Sequence, residues 1–218
     1  MMSHGLEGSK DGAKWQLLAT KLYKAGIASL RFNYRGCGQG KDKSQGKFEE
    51  TTLNGRIQDF EAALSFVKGT GVDSSRMGVI GSSLGGVVVI AAWGKRIKAV
   101  IAMATPYQFP KPPEEQLRHI QDAEYFNLPS GRRIRMEFLS ELWHHDTGRD
   151  VGRVKCPLLI IHGSADKDVP VDDAQRLYEK ANEPKRLEII KGGSHGFDDP
   201  IHLQQVASLA FGWFRRYL

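Results

Sequence analysis

Arg76-Met77-Gly78-Val79-Ile80-Gly81-Ser82-Ser83-Leu84-Gly85-Gly86-Val87-Val88-Val89-Ile90 decides the fold. It opens on a short apolar run of the length of a buried strand. It closes on a longer one, Leu84 to Trp93. The β-branched Val87-Val88-Val89-Ile90 favours a strand by propensity alone. A second strand directly after the first leaves the sharp turn between them without use, and Gly85 and Gly86 let a helix lie close on a sheet, so a helix is predicted. The junction, Gly81-Ser82-Ser83-Leu84-Gly85, spells G-x-S-x-G in the strand-turn-helix context the pattern requires. A serine on such a turn is pushed out of the sheet, where a histidine can reach its hydroxyl. Side chains at Gly81 and Gly85 crowd a residue held in so strained a conformation.

Further strands and helices alternate on either side. Lys14 to Lys24 carries Trp15, Leu18, Leu22 and Tyr23 at helical spacing, with Gly26 as a stop. Ile27 to Phe32 reads as a strand, and residues 35 to 50 as a glycine-rich, charged loop. Leu53 to Val67 is predicted helical, with Ile57, Phe60, Leu64 and Val67 on one stripe. Lys98 to Met103 and Leu158 to Ile161 read as strands, Asp172 to Ala181 as a helix, Arg186 to Ile190 as a strand and Pro200 to Leu218 as a closing helix. This rhythm predicts an α/β fold, a three-layer α/β/α sandwich around a mostly parallel sheet. Residues 106–150 break it. Prolines punctuate their start, a helix is expected from about Glu114, Leu128-Pro129-Ser130-Gly131-Arg132 signals a hairpin, and Met136 to His145 reads as another helix.

The chemistry also lies in chain order. A serine hydroxyl becomes a useful nucleophile at neutral pH when an imidazole takes its proton. Of seven histidines, His4 and His162 sit in other glycine-flanked motifs, and His119, His144, His145 and His202 sit in helical contexts. His195 alone lies in a glycine-rich loop, Gly192-Gly193-Ser194-His195-Gly196, after the last strand. An acid must hold its tautomer. Asp166 and Asp168, beyond the strand at 158–161, both qualify. Negative charge on an acyl intermediate needs backbone amides, and Leu84, next after Ser83, supplies one.

His4-Gly5, Asn33-Tyr34-Arg35-Gly36, the serine turn, His162-Gly163 with Asp166 and Val169-Pro170, and Ser194-His195-Gly196 together resemble the α/β-hydrolase superfamily. The resemblance covers essentially the whole chain. It is nearest to the small-esterase and serine-aminopeptidase-like branch that includes feruloyl-type esterases. It implies a serine hydrolase with Ser83, Asp166 and His195 as catalytic triad, acting on carboxylic esters through an acyl-enzyme and without a cofactor. It favours Asp166 over Asp168, because two residues separate it from Val169-Pro170. It also implies a second oxyanion-hole amide at Leu6, with His4 and Gly5 shaping that loop. The core is then 1–105 and 151–218, and 106–150 resembles a cap, in which Tyr107, Phe109, Phe126, Phe138 and Trp143 are candidates for a substrate wall. A thioesterase or a prolyl-type peptidase is the alternative, and a non-catalytic interaction domain a second one. The family's His-Gly loop follows a central strand, yet only Met1, Met2 and Ser3 precede His4. The expectation is therefore that N-terminal strands are missing. Either residues upstream supply that strand, or another copy donates one in a homodimer, or the sheet closes.

Composition excludes several other classes. The 218 residues are 40% hydrophobic and 26% charged, enough for one domain with a sizeable core. No apolar run reaches the roughly 20 residues that span a bilayer, and no signal-like segment follows Met1, so a cytoplasmic location is expected. The net charge of +6 is spread along the chain without an aromatic-interleaved basic stripe, which argues against nucleic acid. Cys37 and Cys156 share no metal or disulfide spacing. His144 and His145 on one helix point about 100° apart, too far to share an ion. Gly36-Cys37-Gly38-Gln39-Gly40 lacks the lysine of a phosphate loop and opens no helix.

Overall fold

The computed structural model describes residues 1–120 and 123–218; Gln121 and Asp122, within the 106–150 segment, lie outside the described residues. In chain order the elements are β1 (Met2–Ser3), α1 (Ala13–Tyr23), α2 (Leu53–Val67), β2 (Met77–Ser82), α3 (Leu84–Ala91) and β3 (Ile97–Met103). Then come α4 (Glu114–Ile120), β4 (Tyr125–Asn127), β5 (Arg133–Arg135), α5 (Met136–His144), α6 (Thr147–Val151), β6 (Leu158–Gly163), α7 (Val171–Lys180), β7 (Lys185–Ile190) and α8 (Pro200–Tyr217). Five strands form one parallel sheet in the order β1-β2-β3-β6-β7, and β4 and β5 pair apart from it as an antiparallel hairpin.

Strand periodicity builds two cores. Val79, Val100 and Ile160 point to one face, where Phe60, Leu64, Val87 and Leu177 from α2, α3 and α7 cover them. Their neighbours Ile80, Ile101 and Ile161 point to the other, under Trp15, Leu18, Val206 and Phe214 from α1 and α8. Strands buried on both faces read as continuous apolar runs, and parallel strands need both faces covered. The override of β-branched propensity at Val87-Val88-Val89-Ile90 holds, since that segment is helical and fully buried. Thr52 caps α2, its hydroxyl accepting from the Gly55 amide at 2.9 Å.

One expectation at the N-terminal side needs correction. Ile27 to Phe32 is not a strand; it makes a single isolated parallel bridge, Arg31 to Met2. Beside the serine turn the central lane is filled by this chain's own first residues. Met2 and Ser3 enter it and pair with Ile80 and Gly81. A ladder needs a partner at every step; the Leu30 carbonyl accepts from the Met2 amide at 2.9 Å, but among the described residues Ala28 and Ser29 have no backbone partner, so the segment does not become a strand.

Candidate active site

Ser83 sits where β2 ends and α3 begins, with φ 56° and ψ −126°. Such a positive φ is costly for a residue with a side chain and persists only where its surroundings enforce it. Here they do: a Cβ at Gly81 would strike the Gly85 carbonyl, and one at Gly85 would strike the Ser3 carbonyl. The turn can close this tightly only with glycine at both places. Ser83 remains partly exposed, and its own amide donates to the Met103 carbonyl at 2.8 Å.

The other two residues arrive from the same end of the sheet. Asp166 follows β6 and His195 follows β7. His195 Nδ1 and Asp166 Oδ2 are 2.8 Å apart. The other Asp166 oxygen accepts from the Asp168 and Val169 amides, both at 2.9 Å. The Asp166 side chain is fully enclosed, whereas Asp168 is exposed. A carboxylate only accepts, so His195 Nδ1 carries the hydrogen and Nε2 is left as the acceptor. Asp166 therefore meets the imidazole, and Asp168 contributes only its backbone. Asp166, Asp168 and His195 also offer ligand atoms within 4.8 Å of one another. A cation there has to compete with the imidazole and two amides that already engage Asp166. Ser83 and the imidazole–carboxylate pair all follow strands at the same end of the sheet, and among the described residues Ser83 Oγ makes no hydrogen bond, so no serine–histidine link is closed. Such links are often long without substrate and tighten when it binds.

The loop His4-Gly5-Leu6 passes over the serine. A Cβ on Gly5 would lie 3.3 Å from Ser83 Cβ and 3.8 Å from its Oγ. Neither the Leu6 nor the Leu84 amide donates to any described residue, and Leu84 opens α3, where amide dipoles align toward the serine. His4 itself is 1% exposed. Its Nδ1–H donates to the Gly5 carbonyl at 2.8 Å and its Nε2 accepts from the Tyr34 amide at 3.4 Å. Burial pushes its pKa down to about 4, so it is a neutral structural group.

Three neighbours of the site were given no role in the sequence reading. Arg56 on α2 is 1% exposed and donates to both Gly5 and Leu6 carbonyls. His162 Nε2 lies 3.0 Å from the Val169 carbonyl and 3.3 Å from Asp166 Oδ2. Lys14 Nζ donates to Ser82 Oγ at 2.9 Å, and burial lowers its pKa to about 8. The His162-Gly163 motif was the only sequence signal among them. Arg56 and Lys14 look like ordinary polar positions on amphipathic helices, and only the fold turns them inward.

The five aromatics of 106–150 scatter. Phe138 is fully buried in the core beneath α5, which leaves it no surface for a ligand. Tyr107, Phe109 and Trp143 are partly exposed, and Phe126 on β4 is exposed. Tyr107 is held by its amide to Asp173 at 2.9 Å and by the Arg176 guanidinium stacked 3.9 Å from its ring. A cavity of about 670 Å³ lies elsewhere, at the N-terminal ends of the strands beside Met1, Met77 and Phe214.

Comparison with known proteins agrees with this fold. Residues 13–218 match the prolyl oligopeptidase family, and the chain belongs to that family of α/β-hydrolases. It is 29% identical over 184 residues to an uncharacterized protein of Mycobacterium tuberculosis, covering 84% of this chain and 57% of that one. It is 25% identical over 215 residues to "Putative esterase YitV" of Bacillus subtilis, covering 93% and 81%. The chain thus spans less than two thirds of the mycobacterial relative's length. Among solved structures, Est1E of Butyrivibrio proteoclasticus with bound ferulic acid superposes with a TM-score of 0.84 at 22% identity, covering 99% of this chain and 87% of that one. A monoacylglycerol lipase of Paleococcus ferrophilus gives 0.77 at 21%, covering 98% and 92%.

Proposed function

We propose that this protein is a carboxylic-ester hydrolase in which Ser83, His195 and Asp166 form the catalytic triad. The observation that carries the reading is the 2.8 Å contact between His195 and an enclosed Asp166, at the same end of the sheet as a serine on a positive-φ turn. Ser83 Oγ attacks the acyl carbon while His195 Nε2 takes its proton. The tetrahedral oxyanion forms beside the Leu6 and Leu84 amides. His195 then returns the proton to the departing alcohol, which leaves an acyl-enzyme. Water repeats the sequence and releases the acid. Asp166 stays ionised and stabilises the imidazolium. The segment 106–150 acts as a cap, and Tyr107, Phe109, Phe126 and Trp143 are its candidate substrate contacts. Phe138 is set aside because it is sealed in the core.

The family match favours one other reading, cleavage of peptide amides, by the same residues. A panel of aryl and alkyl esters, thioesters and prolyl amides separates the two by their relative kcat/KM. Ser83→Ala should abolish turnover and labelling by a fluorophosphonate, a loss of several powers of ten. Continued labelling at wild-type rate refutes the assignment. Asp166→Asn should cost far more than Asp168→Asn, and the reverse order moves the acid to Asp168.

A further inference from the structure

Arg56 has no reason to be buried as a charge. Among the described residues no carboxylate lies within 4.0 Å of its guanidinium, and burial lowers its pKa below the ordinary arginine value. Enclosing a cation without a counter-ion is expensive unless its hydrogens are all used. Four of its five are used, one of them on Cys37 Sγ at 3.6 Å and the rest on one loop and its support. Nη1 donates to the Gly5 carbonyl at 3.3 Å, Nη2 to the Leu6 carbonyl at 2.8 Å, and Nε to Thr51 Oγ1 at 3.0 Å. The Tyr34 ring faces the guanidinium carbon at 4.7 Å. The Gly5 carbonyl and the Leu6 N–H are the two ends of one planar trans peptide, so they point in opposite directions. Whatever pins the carbonyl to the Arg56 side presents the amide on the other side. The loop passes Ser83, whose Cβ is 3.3 Å from where a Gly5 Cβ would stand, and among the described residues the Leu6 amide has no acceptor.

We propose that Arg56 is a positioning residue: it locks the Gly5–Leu6 peptide so that the Leu6 amide faces the oxyanion that forms on Ser83. This rests on the serine-hydrolase reading above. Arg56 touches no reacting atom. Its fixed positive charge also lies on the side of the loop where it favours a growing negative charge across the peptide. His4 shares the task from Nδ1, but as a neutral group and at one carbonyl only. Only the arginine's fork reaches both carbonyls at once.

The test uses Arg56→Gln and Arg56→Lys with an ester substrate, and phenylboronic acid as a tetrahedral adduct former. A lost oxyanion donor typically costs 10²–10³ in kcat. Arg56→Gln should lower kcat by about that factor and weaken phenylboronic acid in parallel, with KM changed by less than about threefold. Arg56→Lys, which keeps the charge but reaches one carbonyl, should recover part of kcat. On the wild-type protein, the ¹⁵N–H signals of Leu6 and Leu84 should both shift when the boronate forms. Wild-type kcat in folded Arg56→Gln overturns the proposal, as does a raised KM with unchanged kcat. Failure of both variants to fold also overturns it, because Arg56 then serves stability. A boronate adduct that moves Leu84 but not Leu6 overturns it as well. If Ser83→Ala stays active, the catalytic reading itself falls, which is a separate outcome.

Discussion

His4 shows how one buried side chain fixes both a loop and a pH dependence. Each of its nitrogens has one partner, and the pair specifies the neutral Nδ1–H form. A second proton on Nε2 would face the Tyr34 amide, donor against donor. The folded pKa of about 4 lies below the ordinary value of 6.5. Between those values the unfolded chain binds a proton that the folded one refuses. The His4 contribution is therefore full above pH 6.5 and is lost as pH falls toward 4. At about 1.4 kcal/mol per pKa unit, it amounts to roughly 3 kcal/mol across the window. His4→Asn, which keeps a donor near the Nδ1 position, should flatten that part of the stability curve. Urea denaturation at pH 7, 5.5 and 4.5 measures it. Equal slopes in both proteins rule out His4 as a source of acid sensitivity. At this scale the serine, the imidazole and the acid were legible because each follows an apolar strand and lies among glycine or proline. Arg56 was not legible: nothing local distinguishes it from the exposed Gln58 beside it, and only the tertiary position of α2 decides which one is buried.

At the scale of elements, the turn between β2 and α3 governs everything around it. Its closeness is steric, so it can be tested with one carbon atom. Gly81→Ala sets a methyl against the backbone of Gly85, which cannot rotate away. Gly94, just beyond α3, has nothing within 4 Å of the same position. Overpacking typically costs about 1–3 kcal/mol. Gly81→Ala should cost at least that in thermal or urea denaturation and should lower fluorophosphonate labelling, while Gly94→Ala should change stability by less than about 0.5 kcal/mol. Similar behaviour of the two variants would mean that the turn relaxes. Most of the elements could be read because periodicity and caps agreed, as in α2 with its Thr52 cap. The residues 27–32 misled because their pattern is that of a strand. Strand structure, however, belongs to a ladder rather than to a sequence, and among the described residues most of that segment has no ladder partner. The short α6 escaped notice because five residues, capped by Asp146, carry no periodicity.

Across the whole molecule, the sheet is complete at one end and open at the other. At the serine end, residues 1–3 are held from both sides. The Met1 amine donates to the Gly78 carbonyl at 2.6 Å, the Ile80 amide donates to the Met1 carbonyl at 3.0 Å, and the Met2 amide donates to the Leu30 carbonyl at 2.9 Å. On the far side of Met1 the same lane continues between residues 27–30 and Arg76–Gly78. Among the described residues no backbone hydrogen bond crosses it. It is the cavity of about 670 Å³, walled by Leu22, Ile27, Val67, Met77 and Phe214. Its lining joins the two segments that flank the lane, residues 27–30 and 76–78, with apolar side chains from α1, α2 and α8. Placing five strand-forming residues such as Thr-Val-Thr-Val-Thr before Met1 should therefore extend β1 and stabilise the fold. Each new ladder bond nets about 0.5–1.5 kcal/mol, and about 1 kcal/mol moves Tm by roughly 2–4 °C in a domain of this size. A gain of several degrees by calorimetry is expected, together with slowed hydrogen exchange at the Ala28, Leu30 and Gly78 amides. An extension with proline at alternate positions cannot donate to either edge and should give neither effect. If both extensions leave Tm and exchange unchanged, the lane does not accept a strand, and the short β1 is held by residues 1–3 alone.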